Sequence, residues 1–435
     1  MAKTSRVILY SVIIVVLAGL AYAAYYVYTN TSFLRFNVAE EDLQANNFNV
    51  TNNVNQAANA ASAPPLDIAR LIPQTLQVPE QFRTGALAKE RLLNLPAGFS
   101  ISVFAAGLSS PRFFTFDAAN NLIVADQGGG KILLIKDTDN DNTSDETITV
   151  DQGLQGMHSV FYDEGDLYAA EERQVSVYRG VQPDGTYSKK EVLVSGLPSG
   201  GGHSTRTVII GPDRKMYVSI GSSCNLCEEA DQRRAAVMRY NLDGSGGEVF
   251  ASGLRNSVGI TFYAGELWGV DMGRDRIGDD IPPEEVNIIK QGQHYGWPYC
   301  YGQGVVNPEY QGGRESFCQN ETEFPVYEMQ AHSAPLGLVF MPESLPADFN
   351  FPSELAKSLF IGFHGSWNRS VPTGYKVVRI DTALRANKPV NFVAGWLESS
   401  GQAWGRPAGV GFDHQGFLFI SDDKAGLIYR VEYRD

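Results

Sequence analysis

The chain has 435 residues, with 49 acidic and 35 basic side chains and a formal net charge of −14. Binding of nucleic acid needs a clustered basic surface, and no such cluster is visible, so this class of partner is excluded. The 44 glycines, 20 tyrosines and 23 phenylalanines favour tight turns and aromatic-rich strands over helices. The composition therefore predicts an all-β fold.

The N-terminus predicts an export signal over residues 1–28. Two basic residues precede an uncharged apolar run at 7–28, which is long enough to span a bilayer as an uncleaved signal anchor. Ala-Tyr-Ala at 21–23 also has the small-x-small form of a cleavage site, so a cleaved signal peptide remains open. We expect a protein outside the cytoplasmic membrane, in the periplasm or extracellular space, that is membrane-anchored or, after cleavage, secreted.

Residues 29–91 follow as a predicted flexible, disordered tether. Their composition, as in NVTNNVNQAANAASAPP, is rich in Asn, Ala, Gln and Pro and has little hydrophobic periodicity. The globular domain is predicted to span 92–435, because LLNLPAGFSISVFAAGL supplies the first alternating strand.

A unit of a polar turn, an apolar strand, a second turn and a second strand recurs through this domain. Its leading strands are marked by Leu122, Leu167, Met216, Leu267, Leu359 and Leu418. A repeat of 40 to 50 residues that holds several strands is typical of propeller blades. Six copies predict a six-bladed β-propeller, and the long interval before the fifth copy predicts an elaborated blade or a loop insertion. A β-sandwich with coincidental spacing is the alternative.

The four cysteines fall into two local pairs, Cys224 with Cys227 and Cys300 with Cys318. Disulfides suit an exported protein and are the simpler interpretation. A redox-active or zinc-binding Cys-x-x-Cys is the alternative, although the chain has no second pair at zinc spacing.

Loops from different blades converge at the mouth of a propeller channel, so residues far apart in sequence can form one site. His203 follows three glycines in such a loop and is suited to accept a proton near neutral pH. Arg255, beside Asn256, and Arg406 lie next to glycines in apolar surroundings and suit an anionic ligand. Surface exposure of His203 and structural hydrogen bonding by the arginines remain the alternatives.

Six segments in this order resemble the glucose/sorbosone dehydrogenase family of quinoprotein propellers, and most closely its sorbosone dehydrogenase branch. They are HSTRTVIIGPDRKMYVSIGS, GLRNSVGITF, EEVNIIKQGQHYGWP, APLGLVF, GFHGSWNRS and WGRPAGV. The resemblance implies oxidation of a sugar or sugar aldehyde with pyrroloquinoline quinone (PQQ) and calcium. Because the chain has no haem-attachment motif, we expect an external electron acceptor such as a cytochrome or a membrane quinone.

The resemblance also assigns roles to particular residues. His203 is similar to the family's general base, and Arg255, with Asn256, to the residues that stabilise negative charge on the cofactor. Arg406 resembles a partner for a cofactor carboxylate, and Gln155 a polar cofactor contact. The family's cofactor-binding lysine has no equivalent, so His364 or Arg369 is expected to replace it.

The family's calcium loop is also altered here. It reads Asp271-Met272-Gly273-Arg274 in place of the commoner Glu-x-Gly-Pro, so Asp271 and the carbonyl groups of Gly273 and Arg274 are the candidate ligands.

A separate acidic loop, DTDNDNTSDE, resembles an EF-hand loop but lacks its glycine and its terminal glutamate. This loop either binds a structural calcium ion or is an ordinary solvated turn, and the sequence does not distinguish the two. Its aspartates are Asp137, Asp139, Asp141 and Asp145.

Two other functions compete with the dehydrogenase. Six-bladed propellers also include calcium-dependent lactonases, but these need several acidic or amide side chains at the channel. A non-catalytic cell-surface propeller that has lost its cofactor is the second alternative.

Overall fold

Three strands precede the first complete blade: β1 (Leu71–Thr75), β2 (Leu92–Pro96) and β3 (Phe99–Ala105). The computed structural model describes Ile68 and residues 70–383 and 388–434, so the predicted export signal and residues 29–67 of the predicted tether lie outside the described residues. Within the described ranges, no helix is long and apolar enough to cross a bilayer.

Residues 70–91 belong to the folded unit, which corrects the predicted start of the domain at residue 92. β1 pairs antiparallel with β2, and two 3₁₀ turns, Glu80–Phe82 and Gly85–Leu87, connect them. Leu76 and Leu87 are each only 3% exposed. The sequence pattern missed this segment because its few apolar residues pack against an existing blade and show no periodicity of their own.

Six sheets follow one another around a ring, as the six repeats predicted; five have four strands, and that of blade 5 has six. Blade 1 contains β4 (Pro111–Phe116), β5 (Leu122–Asp126), β6 (Lys131–Lys136) and β7 (Glu146–Gln152). Blade 2 contains β8 (Ser159–Asp163), β9 (Asp166–Ala170), β10 (Gln174–Val181) and β11 (Tyr187–Ser195). Blade 3 contains β12 (Arg206–Ile210), β13 (Lys215–Ile220), β14 (Ala236–Asn241) and β15 (Glu248–Ser252).

The fourth blade carries an insertion between its third and fourth strands. Its strands are β16 (Gly259–Tyr263), β17 (Glu266–Asp271), β18 (Glu284–Ile289) and β21 (Tyr327–Met329). The insertion holds β19 (Cys300–Tyr301), β20 (Val305–Val306), a 3₁₀ turn (Pro308–Tyr310) and the helix α1 (Glu315–Asn320). The long interval in the repeat is therefore a loop insertion.

The last two blades use strands from both ends of the described chain. Blade 5 contains β22 (Pro335–Phe340), β23 (Ser358–Phe363), β24 (Lys376–Asp381) and β25 (Val390–Ala394), extended by β2 and β1; a 3₁₀ turn (Ser353–Leu355) precedes β23. Blade 6 contains β26 (Pro407–Phe412), β27 (Leu418–Asp422), β28 (Leu427–Tyr433) and β3. The pairing of β28 with β3 closes the ring.

The core lies between the blades. Second strands such as β5, with sequence LIVAD, are buried throughout, whereas the outermost strands β7 and β11 alternate between exposed and partly buried residues. One apolar cluster separates each pair of neighbouring blades; that between blades 2 and 3, for example, contains Tyr168 and Met216. This arrangement leaves the ends of the first and second strands free to build a site at the channel mouth.

The two predicted disulfides are both present. Cys224 pairs with Cys227 across three residues, and Cys300 pairs with Cys318 inside the insertion of blade 4. The alternative of a zinc-binding Cys-x-x-Cys is thereby excluded in this structure.

Candidate active site

One end of the central channel opens into a polar cavity of about 630 Å³, a size that suits a small-molecule ligand. Loops before the first strands and after the second strands of the blades form its wall. Its charged and polar side chains are those of Arg112, Gln127, His203, Ser204, Thr205, Asn225, Arg255, Asn256, Asp275, Glu284, His332, His364, Asn368 and Arg406. A second cavity, among the inner strands, is lined mainly by apolar and aromatic residues. The chemistry of the chain is therefore concentrated at the polar end.

A buried carboxylate at the end of the second strand holds the loop before the first strand in four of the six blades. Asp126 accepts hydrogen bonds from the backbone of Ser109 and Ser110, and Glu171 accepts one from the backbone of Gln155. In the blades that carry the predicted arginines, Asp271 accepts from the amides of Arg255 and Asn256, and Asp422 accepts from the amide of Arg406. This repeated contact fixes the backbone from which both arginines project.

His203 is held in one tautomer. Its Nδ1 lies 2.8 Å from Oγ of Ser222 and 3.1 Å from the carbonyl oxygen of Ser222. The Ser222 hydroxyl donates to the carbonyl of Cys224 at 2.7 Å, so toward the imidazole it acts as an acceptor. Nδ1 therefore carries the proton, and Nε2 keeps a lone pair available to a ligand.

The imidazole of His203 is neutral over a wide pH range. Burial, with the positive charge of Arg255 as the second cause, lowers its pKa to about 3. A neutral imidazole with a free Nε2 is the form of histidine that can accept a proton.

Arg255 is 4% exposed and is held from several sides. Its Nε and Nη2 donate to the carbonyl and to Oδ1 of Asn225, at 3.1 and 2.8 Å, and Nη1 donates to the carbonyl of Met272 at 3.2 Å. Asp275 lies 3.4 Å from Nη2. The guanidinium is thus a fixed cation in the cavity wall, which suits stabilisation of a developing negative charge.

Arg406 is held less completely than Arg255. Its Nε donates to the carbonyl of His364 at 3.0 Å and its Nη2 to that of Gly365 at 2.8 Å. Among the described residues, none bonds to Nη1, so this group is available to an anionic ligand.

A third arginine, Arg112, lies across the cavity in a hydrogen-bonded network that was not predicted from the sequence. Arg112 donates to Oε1 of Gln127 at 3.0 Å and pairs with Asp423 at 2.8 Å. Nε2 of His364 lies 2.9 Å from both carboxylate oxygens of Asp423, so this nitrogen carries its proton. Burial lowers the pKa of His364 to about 4, although Asp423 opposes the change. His364 is therefore a neutral donor to Asp423.

The predicted catalytic and cofactor-binding residues separate into two groups. His203, Arg255, Asn256, His364 and Arg406 all line the cavity. Gln155 is exposed and lies outside the lining, and Arg369 is held by the carbonyl of Asp279 and the carboxylate of Asp280, also outside it. The roles assigned to these two residues stay predictions without support from their positions.

The candidate calcium ligands also differ in position. Asp271 uses both carboxylate oxygens for the amides of blade 4 and for Ser257, which counts against a metal-binding role. The side chain of Arg274 pairs with Glu309. Gly273 lines the cavity, and its amide donates to Glu284, a buried cavity carboxylate whose pKa burial raises to about 7. The predicted backbone site at Gly273 and Arg274 thus lies beside an acidic side chain.

The acidic loop of blade 1 is exposed and ordered by its own carboxylates. Carboxylate oxygens of Asp137, Asp139 and Asp145 lie within 4.8 Å of one another, while Asp141 accepts from the amide of Thr143. Both the calcium site and the solvated turn remain open for this loop.

The sequence contains a signal for Arg112, namely an arginine next to the proline that begins an inner strand. Arg112 follows Pro111 at the start of β4, just as Arg406 precedes Pro407 at the start of β26. An arginine beside the proline that opens an inner strand therefore marks both positions. Asn225 had no such signal, because its contacts with Arg255 join different blades.

The fold and this site together define a six-bladed propeller of the quinoprotein dehydrogenase type. The TrAA12-like family model matches residues 93–309 and 302–434, and the chain belongs to this family. An uncharacterized protein of Borreliella burgdorferi is 31% identical over 361 residues, covering 78% of this chain and 91% of that protein.

Relatives with an assigned activity are more distant. A PQQ-dependent sugar dehydrogenase of Hypocrea jecorina is 25% identical over 393 residues, covering 77% of this chain and 88% of that protein. A PQQ-dependent pyranose dehydrogenase of Coprinopsis cinerea is also 25% identical and covers 80% of this chain, which spans 56% of its length. The resemblance to the sorbosone branch stays a prediction.

Solved structures agree on the fold. The holo PQQ domain of the Coprinopsis cinerea pyranose dehydrogenase superimposes with a TM-score of 0.68 at 23% identity, covering 78% of this chain and 97% of that domain. A calcium structure of a Trichoderma reesei family AA12 enzyme gives a TM-score of 0.67 at 22% identity, with 78% and 96% covered.

Proposed function

We propose that this protein is a PQQ- and calcium-dependent dehydrogenase that oxidises a sugar or sugar aldehyde. The observation that carries the proposal is His203, whose fixed tautomer leaves Nε2 free in a cavity walled by three arginines. PQQ supplies a two-electron oxidant when bound, and calcium supplies a Lewis acid.

The cavity fits an anionic, planar ligand. Arg112, Arg255 and Arg406 present guanidinium groups from three blades, and such groups bind carboxylates through paired hydrogen bonds. Nδ2 of Asn368, another lining residue, is a buried donor without a partner among the described residues. A ligand with several oxygen acceptors would satisfy this donor and Nη1 of Arg406, and the fixed charges of Arg112 and Arg255 would favour an anion beside them, which supports PQQ as the cofactor.

His203 takes the proton from the substrate hydroxyl at Nε2 in the proposed reaction. Arg255 keeps a positive charge fixed in the cavity wall, where it stabilises negative charge that develops during oxidation. Arg112 and Arg406 bind and orient the anionic cofactor, and the carbonyl groups of Gly273 and Arg274 are the proposed calcium contacts.

Trp367 supports a sugar as substrate. This side chain lies in the cavity wall and is 66% exposed, so one face of the indole is open. The apolar face of a pyranose ring can cover such a surface while its hydroxyl groups remain free for polar contacts.

The proposed location is outside the cytoplasmic membrane, anchored through the N-terminal segment or secreted after its cleavage. Two disulfides and the absence of free cysteines in the described residues suit an oxidising compartment. Electrons would leave to an external carrier such as a cytochrome or a membrane quinone.

The proposal is tested with the purified full chain, loaded with PQQ and calcium, in a dye-reduction assay against aldoses, sorbosone and lactones. We expect sugar-dependent reduction that requires both additions. His203→Gln should lower kcat by roughly 10²- to 10⁴-fold while PQQ binding remains, as expected for loss of a general base.

Two results would contradict the dehydrogenase. If PQQ does not bind, the assignment fails, and lactone hydrolysis or a binding role becomes the function to pursue. If PQQ binds and the His203→Gln variant reduces the dye with sugars as fast as the wild type, the dehydrogenase assignment is retained, but His203 is not the general base.

A further inference from the structure

The loop closed by the Cys224–Cys227 disulfide touches both side chains to which a reacting role is assigned. The two cysteines enclose only Asn225 and Leu226, and Ser222 lies two residues before the first of them.

Asn225 is the main partner of Arg255. Its backbone carbonyl accepts from Nε at 3.1 Å, and its Oδ1 accepts from Nη2 at 2.8 Å. Its side chain is itself fixed by Asp275, whose amide donates to Oδ1 at 2.8 Å and whose carbonyl accepts from Nδ2 at 3.1 Å. One residue thus determines the direction of two edges of the guanidinium.

Ser222 connects the same loop to His203. Its hydroxyl accepts from Nδ1 of the imidazole and donates to the carbonyl of Cys224, and its amide donates to the carbonyl of Arg255. Ser222 is completely buried, so water cannot replace these bonds. If the Cys224 carbonyl moves, the hydroxyl loses the acceptor that fixes its direction.

We infer that the Cys224–Cys227 loop positions the reacting groups, with Asn225 the positioning residue for Arg255 and Ser222 that for His203. The disulfide holds the Cys224 carbonyl and Asn225 in one arrangement, so the tautomer of His203 and the orientation of Arg255 are set together. The inference rests on the proposed function for its effect on catalysis, but the tautomer can be measured without activity.

The first experiment measures the tautomer of His203 by ¹⁵N NMR of histidine-labelled full chain. We expect Nδ1–H in the wild type. In Ser222→Ala only the more distant Ser222 carbonyl remains as an acceptor, and in Cys224→Ser/Cys227→Ser the hydroxyl is no longer held in one direction, so we expect the Nε2–H tautomer to appear beside Nδ1–H in both. Ser223→Ala is the matched control, because the Ser223 hydroxyl donates to Glu229 and lies 3.7 Å from Sγ of Cys227 but does not contact His203. An unchanged tautomer in both test variants overturns the inference, whatever the activity.

The second experiment measures kcat and KM of the PQQ- and calcium-loaded enzyme. Asn225→Ala should lower kcat by up to roughly 100-fold with KM within about threefold, since misplacement of a reacting group affects the chemical step. Asn225→Asp keeps an oxygen that accepts from Arg255 but loses the Nδ2 donor to the Asp275 carbonyl, so it should recover part of the kcat that Asn225→Ala loses. Equal loss in both variants, or a change confined to KM, would indicate a ligand contact and contradict positioning.

Removing each of the two disulfides in turn separates an effect on kcat from an effect on Tm. Loss of Cys224–Cys227, which closes a short loop, should lower kcat at least tenfold with a small change in Tm. Loss of Cys300–Cys318, which lies 18 residues apart and outside the cavity, should lower Tm more and leave kcat unchanged below the unfolding range. The reverse pattern would overturn the inference. If the wild type itself oxidises no sugar, the proposed function fails, and the NMR result alone decides the positioning role.

Discussion

His203 is surrounded by groups that disfavour its charged form. The protein removes the imidazole from water, and the guanidinium of Arg255 adds a like charge. The imidazole is therefore neutral at the working pH and can accept a proton, but the same environment makes it a weak base in the ligand-free protein, because a general base works best with a pKa near the working pH.

Replacing Arg255 by Gln should raise the pKa of His203 from about 3 toward its ordinary value of 6.5, because one of the two main causes is removed. The pKa should stay below 6.5, since burial remains. An NMR pH titration of labelled histidines in the ligand-free protein measures it, with Arg214→Gln, an exposed surface arginine, as the control. An unchanged pKa in Arg255→Gln would mean that the charge of Arg255 does not contribute and that burial, with Arg234 and Arg206, sets the value.

Trp367→Ala should raise KM for the sugar roughly tenfold or more with a smaller effect on kcat, because it removes the aromatic face that we propose as the contact for the sugar ring. Steady-state kinetics of the loaded enzyme provide the test. Val371→Ala changes an even more exposed residue outside the cavity wall and should leave KM unaltered. Equal KM values for all three proteins would remove Trp367 from the substrate site.

Sequence alone predicted six residues that line the cavity, Gly273 among them, since each lies in or beside a glycine-rich or apolar loop of the repeat. It could not predict that Asp271 anchors its own blade, because a carboxylate at a strand end looks the same whether it binds a metal or backbone amides. It also missed Arg112 and Asn225, whose partners lie in other blades or distant loops.

Carboxylates at the ends of second strands hold the loops before the first strands. The contribution of this contact to stability can be measured in blade 1, where the carboxylate of Asp126 does not bond to His203 or Arg255. Asp126→Ala leaves the amides of Ser109 and Ser110 without their acceptor and should cost about 2–4 kcal/mol of unfolding free energy. Urea denaturation measures the loss. Asp139→Ala, in the exposed loop of the same blade, should change the unfolding free energy by no more than about 0.5 kcal/mol. Similar values for the two variants would show that the strand-end bonds add nothing.

A second prediction concerns residues 70–91, which we expect to contribute to the stability of the folded core. Leu76→Ala and Leu87→Ala should each cost about 2–5 kcal/mol, because each side chain is almost fully buried in the core. Leu92→Ala, at a position that is 52% exposed, serves as control and should cost little. If the first two variants are as stable as the control, residues 70–91 do not contribute to the folded core.

The six second strands were predictable because they are the most regular part of the repeat. Every marker residue, from Leu122 to Leu418, falls inside the second strand of its blade. These strands are buried on both faces, so their sequences are continuous apolar runs that stand out from the polar turns. β1 has no such run. Its position depends on blade 5, whose own strands lie roughly 300 residues further along the sequence.

Ring closure is a property of the whole molecule that local sequence patterns do not contain. β3, from the first part of the domain, pairs with β28, the last strand of the described chain, and completes blade 6. The repeat predicted the number of blades, but the exchange of one strand between the ends follows only from the tertiary structure. Opening this sheet would expose the apolar clusters on both sides of blade 6, so we expect it to limit the stability of the ring.

A disulfide across this closure tests that expectation. Ser100 and Glu432 are paired in register across β3 and β28, and the Ser100 hydroxyl donates to Glu432 at 3.1 Å. Ser100→Cys/Glu432→Cys would close a loop of more than 300 residues and should add about 2–4 kcal/mol to the unfolding free energy, with a corresponding rise in Tm. Each single substitution is the control and should be neutral or slightly destabilising, since it removes a partly buried polar contact. If calorimetry finds the oxidised double variant no more stable than the single variants, the ring does not unfold by release of β3 from β28. Unfolding would then begin elsewhere, with the interfaces between complete blades as the next elements to test.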